Sequence, residues 1–422
     1  MVGFFGALST TNLVIVIIAL ITGFYMAWTI GANDVANSMG TSVGSGALSL
    51  KQAILVAGIF EFGGAILVGS HVSATIKSGI IQPELLNTPE IYSIAMLACL
   101  IAAAGWVFVA TYFSLPISTT HSIVGSVIGI GLLLSPRLVN FNIVGNIALS
   151  WLLSPLAGAA IAFIFFKIIT RLIFSKRDSL SSLLKIGPYL VFFNIFVISM
   201  SIFYKGLVKL GLAFSLFQSI EISFLVAVSA GLVSAYIFNT LSLKQPKSDS
   251  EKYRQIEKIF GYLQIMTACS VAFAHGANDV ANAIGPLAAV INTLNSGAID
   301  PSSTVPLYIL IIGGIGIVAG IGTWGYRVID TVGKKITEIT PSRGFCAEIG
   351  TTITVLICSK MGLPISTTQV LVGAVMGVGF ARGIAAIDFS IIRKIITSWV
   401  MTLPVAAFSS ILIYQLLKII FL

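Results

Sequence analysis

The chain has 422 residues, of which 57% are hydrophobic and only 9% charged, and its mean hydropathy is +1.02. This excludes a soluble globular domain: the stretches 143–166, 187–204, 222–243, 303–326 and 395–417 carry no charged side chain, and at about 1.5 Å per residue each is long enough to cross a hydrocarbon core of about 30 Å. The net charge of +9 would suggest nucleic acid in a soluble protein; here it is loop charge, which sets orientation in the bilayer.

In chain order, the opening "MVGFFGALSTTN" has no basic residue before the first apolar run and no small-residue cleavage site, so that run reads as a retained span. Spans are predicted over 12–30, 50–70, 92–113, 117–134 and 143–169, then a helical hairpin in 186–243, then 259–280, 305–325, 345–361, 364–380 and 394–420. The expected fold is an all-α polytopic membrane protein with about twelve transmembrane helices. Cys99, Cys269, Cys346 and Cys358 lie in apolar runs without a CxxC pair and read as small core residues.

The first span ends in "TIGANDVANSMG" (29–40), which puts Asn33, Asp34 and Asn37 where a membrane helix is otherwise apolar. Residues 275–286 read "HGANDVANAIGP", repeating the heptapeptide at an offset of 245 with Asn278, Asp279 and Asn282. "LPISTTHSIVGSVIGIG" (115–131) returns as "LPISTTQVLVGAVMGVG" (363–379) at an offset of 248, and Trp151 with Pro155 is echoed by Trp399 with Pro404. Two motifs in one order and at nearly the same spacing predict two homologous halves: 1–175, and 259–422 after a central hairpin segment at 176–258.

Loop charge predicts how the halves are oriented. The loop 167–185 carries Lys167, Arg171, Lys176, Arg177 and Lys185, and 244–258 carries Lys244, Lys247, Lys252, Arg254 and Lys258, so both are expected in the cytoplasm, with two spans between them. Segment 71–91 has Lys77 against Glu84 and Glu90, whereas its equivalent 326–344 has Arg327, Lys334, Lys335 and Arg343 against Asp330 and Glu338. Segment 380–394 has Arg382, Arg393 and Lys394 where 135–142 has only Arg137. Matching loops fall on opposite sides, and five crossings per half produce an inverted repeat, the architecture of secondary transporters. Both termini are expected outside, in a plasma (inner) membrane.

In an inverted repeat, equivalent segments meet near the midplane, so a duplicated polar motif forms one composite site. Gly31, Gly40, Gly276 and Gly285, with Pro286, are expected to weaken the helix around each motif, and Pro116 and Pro364 to open each ISTT segment, with broken or re-entrant helices as the result. Free amides at such helix starts, with the hydroxyls of Ser118, Thr119, Thr120, Ser366, Thr367 and Thr368, suit a tetrahedral oxyanion. Asp34 and Asp279 with Asn33 and Asn278 suit Na⁺, or H⁺ if the acids are protonated. Neither motif pair contains Lys or Arg, so co-transported cations must offset the anion's charge, which argues for symport.

The doubled GANDVAN and LPISTT, with "IFEFGGAILVG" (59–69) and "GFCAEIGTT" (344–352), resemble the inorganic phosphate transporter (PiT) family, importers of phosphate with Na⁺ or H⁺. The resemblance covers 22–170 and 259–415. It implies that Asn33, Asp34, Asn37, Asn278, Asp279 and Asn282 line the translocation site with both serine–threonine–threonine triplets, and it singles out Glu61 and Glu348 as functional membrane acids. The copies depart at His121 against Gln369, which places Gln369 with Glu61 and Glu348 as candidates for coupling or gating.

Simpler readings stand beside these. Membrane Ser and Thr often serve only as helix-to-helix glue, although duplication argues against that here. A charge at Asp34 or Asp279 costs about 3 kcal/mol in a bilayer, which makes function the default. His71, His121 and His275 share no spacing and read as packing residues. A sulfate permease on the same scaffold is the alternative within transport; an intramembrane phosphotransferase or hydrolase lacks a repeated base beside its hydroxyls. No enzymatic cofactor is expected; the partners are phosphate, Na⁺, the bilayer and a second copy in a homodimer through the 186–243 hairpin.

Overall fold

The computed structural model describes residues 8–82, 85–86, 88–204, 206–208, 211–240, 246, 248–329, 338–383 and 389–422, with only the backbone for Phe389, Ile391 and Lys394. Of the loop charges used above to orient the chain, Glu84, Lys244, Lys247, Asp330, Lys334 and Lys335 lie outside the described residues. The described chain is almost wholly helical, with α1 (Thr10–Gly44), α2 (Leu50–Val68), α3 (Pro89–Tyr112), α4 (Thr119–Leu134), α5 (Phe141–Ile169), α6 (Ser179–Phe203) and α7 (Leu216–Thr240) followed by α8 (Asp249–Ser296), α9 (Leu307–Trp324), α10 (Pro341–Lys360), α11 (Thr367–Arg382) and α12 (Phe389–Phe421). Nine helices are long and apolar enough to cross a membrane among the described residues, and α4, α10 and α11 are not among them.

Those three belong to two helical hairpins, α3–α4 and α10–α11. Each turns at an LP dipeptide for the same reason: proline drives its predecessor out of the helical region and supplies no amide. The turns need one left-handed residue each, Ser114 at φ 56° and Gly362 at φ 70°. Ser118 then caps α4 by accepting from His121 N at 3.1 Å, and Ser366 caps α11 by accepting from Gln369 N at 3.3 Å. With 16 residues each, α4 and α11 rise about 24 Å, less than a hydrocarbon core of about 30 Å. The tips therefore end inside the membrane, and these are the re-entrant elements.

The GANDVAN motifs behave otherwise. They lie within unbroken helices, 35 residues long in α1 and 48 residues in α8, with Pro286 inside it. The expectation that glycines weaken the helix at the motif is corrected by what the glycines touch. A Cβ on Gly31 would stand 2.0 Å from Ile317 O, and one on Gly276 would stand 2.1 Å from Glu61 O. These glycines let α1 lie against α9 and α8 against α2 at backbone contact.

Packing follows a two-fold pattern. α1 packs on α9 as α8 packs on α2, α11 on α5 as α4 on α12, and α10 on α5 as α3 on α12, while α1–α8 and α2–α9 pair across the axis. In each of these pairs the partners come from opposite halves, so neither half encloses the core alone. α6 and α7 pair with each other, and α6 leans on α8 through Ser270 Oγ, which donates to Asn194 Oδ1 at 3.0 Å.

Loop contacts sort onto two faces. Lys252 Nζ donates to Arg177 O at 2.7 Å, Lys167 Nζ to Ala381 O at 2.9 Å, and Glu338 pairs with Arg343 at 3.2 Å and with Arg382 at 3.5 Å; this is the basic face, and it holds the foot of the second hairpin. The foot of the first lies on the opposite face, where Gln82 N donates to Leu138 O at 2.7 Å and Asn140 N to Ile80 O at 2.9 Å. One hairpin enters from each side, as an inverted repeat requires.

Candidate translocation site

The two hairpin tips cross at the centre of the α1–α8 pair. Thr120 Oγ1 donates to Ile365 O at 2.9 Å, and Thr368 Oγ1 donates to Ile117 O at 3.1 Å, so each tip is tied to the backbone of the other. Asn33 Nδ2 donates to Thr111 Oγ1 at 2.9 Å and Leu115 O at 3.1 Å, and its Oδ1 accepts from Ile117 N at 3.3 Å. Asn278 Nδ2 donates to Ile365 O at 3.1 Å, and its Oδ1 accepts from Ser359 Oγ at 3.4 Å. The first asparagine of each motif thus holds a tip where it unwinds.

The aspartates face the helix starts. Thr119 Oγ1 donates to Asp34 Oδ2 at 2.7 Å, and Thr367 Oγ1 donates to Asp279 Oδ2 at 2.6 Å. The second asparagine of each motif reaches the triplet of the opposite half: Asn37 Nδ2 donates to Thr368 Oγ1 at 2.8 Å, and Asn282 Nδ2 donates to Thr120 Oγ1 at 3.1 Å. All twelve of these motif and triplet side chains are at most 3% exposed, and the buried Asn282 Oδ1 and Gln369 Oε1 have no hydrogen-bond partner among the described residues. Two carboxylates, four threonine hydroxyls and the amides at two capped helix starts converge here from both halves. Together they can coordinate hard cations and an oxyanion side by side.

One residue of this cluster was read from the sequence as packing. His275 Nε2 lies 2.8 Å from Asp279 Oδ2 and 3.9 Å from Asp34 Oδ2, and its Nδ1 lies 2.8 Å from Glu61 Oε2. Glu61 also accepts from Ser38 Oγ at 2.7 Å. The two-fold relation makes Ile30 the counterpart of His275, one residue before each motif, and Ile317 the counterpart of Glu61, as the matching approaches of Gly31 and Gly276 show. Where one side has a polar bridge, the other has two buried isoleucines. The sequence signal was the letter preceding the repeat, "IGANDVAN" against "HGANDVAN".

Glu348 is not in contact with this cluster. It accepts from Thr41 Oγ1 and Ser42 Oγ at 2.7 Å each, from Gln264 Nε2 at 3.0 Å and from Thr267 Oγ1 at 2.5 Å, and so ties α1, α8 and α10 together toward the basic face. His121 packs against Trp151 with ring centroids 4.0 Å apart and planes tilted by 44°.

Comparison with known proteins bears on the chain as a whole. Residues 30–410 match the phosphate transporter family. A putative phosphate permease of Haemophilus influenzae is 44% identical over 96% of this chain and 97% of its own length. The chloroplastic inorganic phosphate transporter 2-1 of Arabidopsis thaliana is 42% identical over 92% of this chain and 70% of its own. A solved structure described as the sodium-dependent phosphate transporter superposes with a TM-score of 0.90 at 41% identity, covering 96% of this chain and all of that one. A doubled motif pair, folded as an inverted repeat around one buried site and matched nearly end to end by these relatives, places the chain in the phosphate transporter family.

Proposed function

We propose that the protein imports inorganic phosphate by symport with Na⁺, the ion being held by Asp34 and Asp279 and the phosphate by the two triplets and their helix starts. The observation that carries this is the mirrored pair of contacts, Thr119 to Asp34 and Thr367 to Asp279, which sets a cation-binding carboxylate against each anion-binding helix start. Phosphate in place of sulfate rests on the family; Na⁺ in place of H⁺ rests on the many oxygen ligands and on the sodium dependence for which the structural relative is named.

The electrostatics favour an obligatory order. Each contact of His275 with Glu61 and Asp279 needs a proton between its heavy atoms. Three carboxylates and one imidazole sharing two protons carry two net negative charges. No lysine or arginine bonds to them among the described residues, so monovalent phosphate alone would raise the total to three in a region of low dielectric. Two Na⁺ ions reduce it to about one, and two helix starts at roughly +0.5 each offset the rest.

The test is uptake of labelled phosphate into proteoliposomes across a pH series, with external Na⁺ or choline. Uptake that requires Na⁺ at every pH supports the proposal. Equal uptake in choline that rises as pH falls assigns coupling to protons at the same acids, and chemically altered phosphate inside the vesicles means an enzyme.

A further inference from the structure

Between α2 and the foot of the first hairpin the chain forms a strap that neither motif accounts for. Ser70–Ala74 make a helical turn and Thr75–Gly79 a π-helical turn, closed by Ile80 N donating to Thr75 O at 3.2 Å. Single π turns are uncommon and cluster at functional positions. The strap lies over the site on the face opposite the basic loops. A Cβ on Gly285, three residues past Asn282, would stand 3.1 Å from Ile76 Cβ and 3.2 Å from Ser73 O. Thr75 Oγ1 donates to Gly362 O at 2.7 Å, at the tip of the second hairpin. The strap thus spans from α8 just beyond its motif to the tip that carries the second triplet.

Its fastening is a buried lysine. Lys77 is 2% exposed, and its Nζ donates to Ser303 O at 2.5 Å, Ser303 Oγ at 2.8 Å and Asp300 O at 3.3 Å, in the turn between α8 and α9. Ser78 Oγ donates to Pro301 O at 3.3 Å beside it. The Asp300 carboxylate is already engaged by Ser302 N at 2.9 Å and Ser302 Oγ at 2.6 Å. Burying an ammonium on carbonyl and hydroxyl oxygens, with only the exposed Asp300 carboxylate near enough to offset its charge, is costly, and an apolar side chain would fix a permanent plug at lower cost. Hydrogen bonds to carbonyls and hydroxyls exchange for water at little net cost, whereas packed apolar surfaces do not separate so easily. A polar latch suits a closure that must open.

We propose that Ser70–Gly79 is the gate of the transport site on the face opposite the basic loops, latched by Lys77 to the 300–303 turn. This rests on the transport reading, so its test has two readouts. In a protein whose Cys99, Cys269, Cys346 and Cys358 are alanine, Ser78→Cys with Pro301→Cys is oxidised to a disulfide across the latch. Cross-linked protein should take up no phosphate until dithiothreitol restores it; undiminished uptake by fully cross-linked protein overturns the gate. The second readout needs no transport. Ser73→Cys, buried on the side of the strap that faces α8, should react with a polar maleimide roughly tenfold faster or more when Lys77→Met is added, and at the slow rate again with Lys77→Arg, which keeps donors. Equal rates in all three overturn the latch. Should the wild-type protein carry no phosphate, it is the transport reading that fails, and the labelling rates still decide the gate.

Discussion

Asp34 and Asp279 differ from ordinary buried acids in accepting from a threonine of a hairpin tip, so their charge faces the place where a cation and an anion would meet. Asp34→Asn and Asp279→Asn keep shape and most hydrogen bonds but remove that charge. Each variant should insert and unfold like wild type, as read by thermal unfolding, yet lose Na⁺-driven phosphate uptake; wild-type transport by either would remove the shared site. His275 and Glu61 support a sharper test, because their mirror positions are Ile30 and Ile317. Removing one partner of a buried ion pair leaves a charge unpaired, at a cost of about 3–5 kcal/mol, whereas replacing both with apolar groups is often neutral. His275→Ile and Glu61→Ile should each destabilise strongly, and the double variant should recover most of the loss while still failing to transport. Additive losses in the double variant would mean that the bridge contributes nothing as a pair.

At the scale of the helix, the glycines divide by what lies beside them. Gly31 and Gly276 face carbonyl oxygens at 2.0 and 2.1 Å from a built Cβ, whereas Gly105 in α3 has nothing within 4 Å. Overpacking in a tight core costs about 1–3 kcal/mol, and more where backbone must move. Gly31→Ala and Gly276→Ala should therefore lower the unfolding temperature and reduce uptake, since pushing α9 or α2 outward displaces the helices that carry the motifs. Gly105→Ala should be neutral, or stabilising by the helix propensity of alanine, about 0.8–1 kcal/mol. Comparable losses at all three would mean that helix weakening, not close approach, explains these residues.

For the whole molecule, the interleaving of halves has a thermodynamic consequence. Because both tips are bonded across the axis and each carboxylate touches a tip, the groups proposed to hold cation and anion belong to one set of elements. Binding coupling is reciprocal. Calorimetry on purified protein at fixed pH and ionic strength should show phosphate affinity rising steeply from choline to Na⁺ buffer, with Na⁺ affinity rising by the same factor when phosphate is present. Equal phosphate affinity in both buffers would falsify Na⁺ as the coupling ion.

The bilayer as solvent made much of this readable in one dimension. Uncharged runs reported the through-going spans because an unsatisfied charge in hydrocarbon is so unfavourable, although 117–134, 345–361 and 364–380, predicted as crossings, are arms of the two re-entrant hairpins; the two repeats, with matching loops basic in only one half, reported the inverted architecture. Proline before ISTT marked both tips, because the cause is local to the residue. The GANDVAN helices could not be read this way: whether a glycine bends a helix or admits a neighbour depends on Ile317 and Glu61, which lie far along the chain. His275 was hidden for the same reason, since an imidazole is packing or part of a charged bridge according to the three carboxylates around it, and only the tertiary structure brings α1, α2 and α8 together to supply them. The chain itself wrote the motifs, their repetition and the alternation of loop charge; which polar groups answer one another across the two-fold axis was decided by close packing of helices from opposite halves.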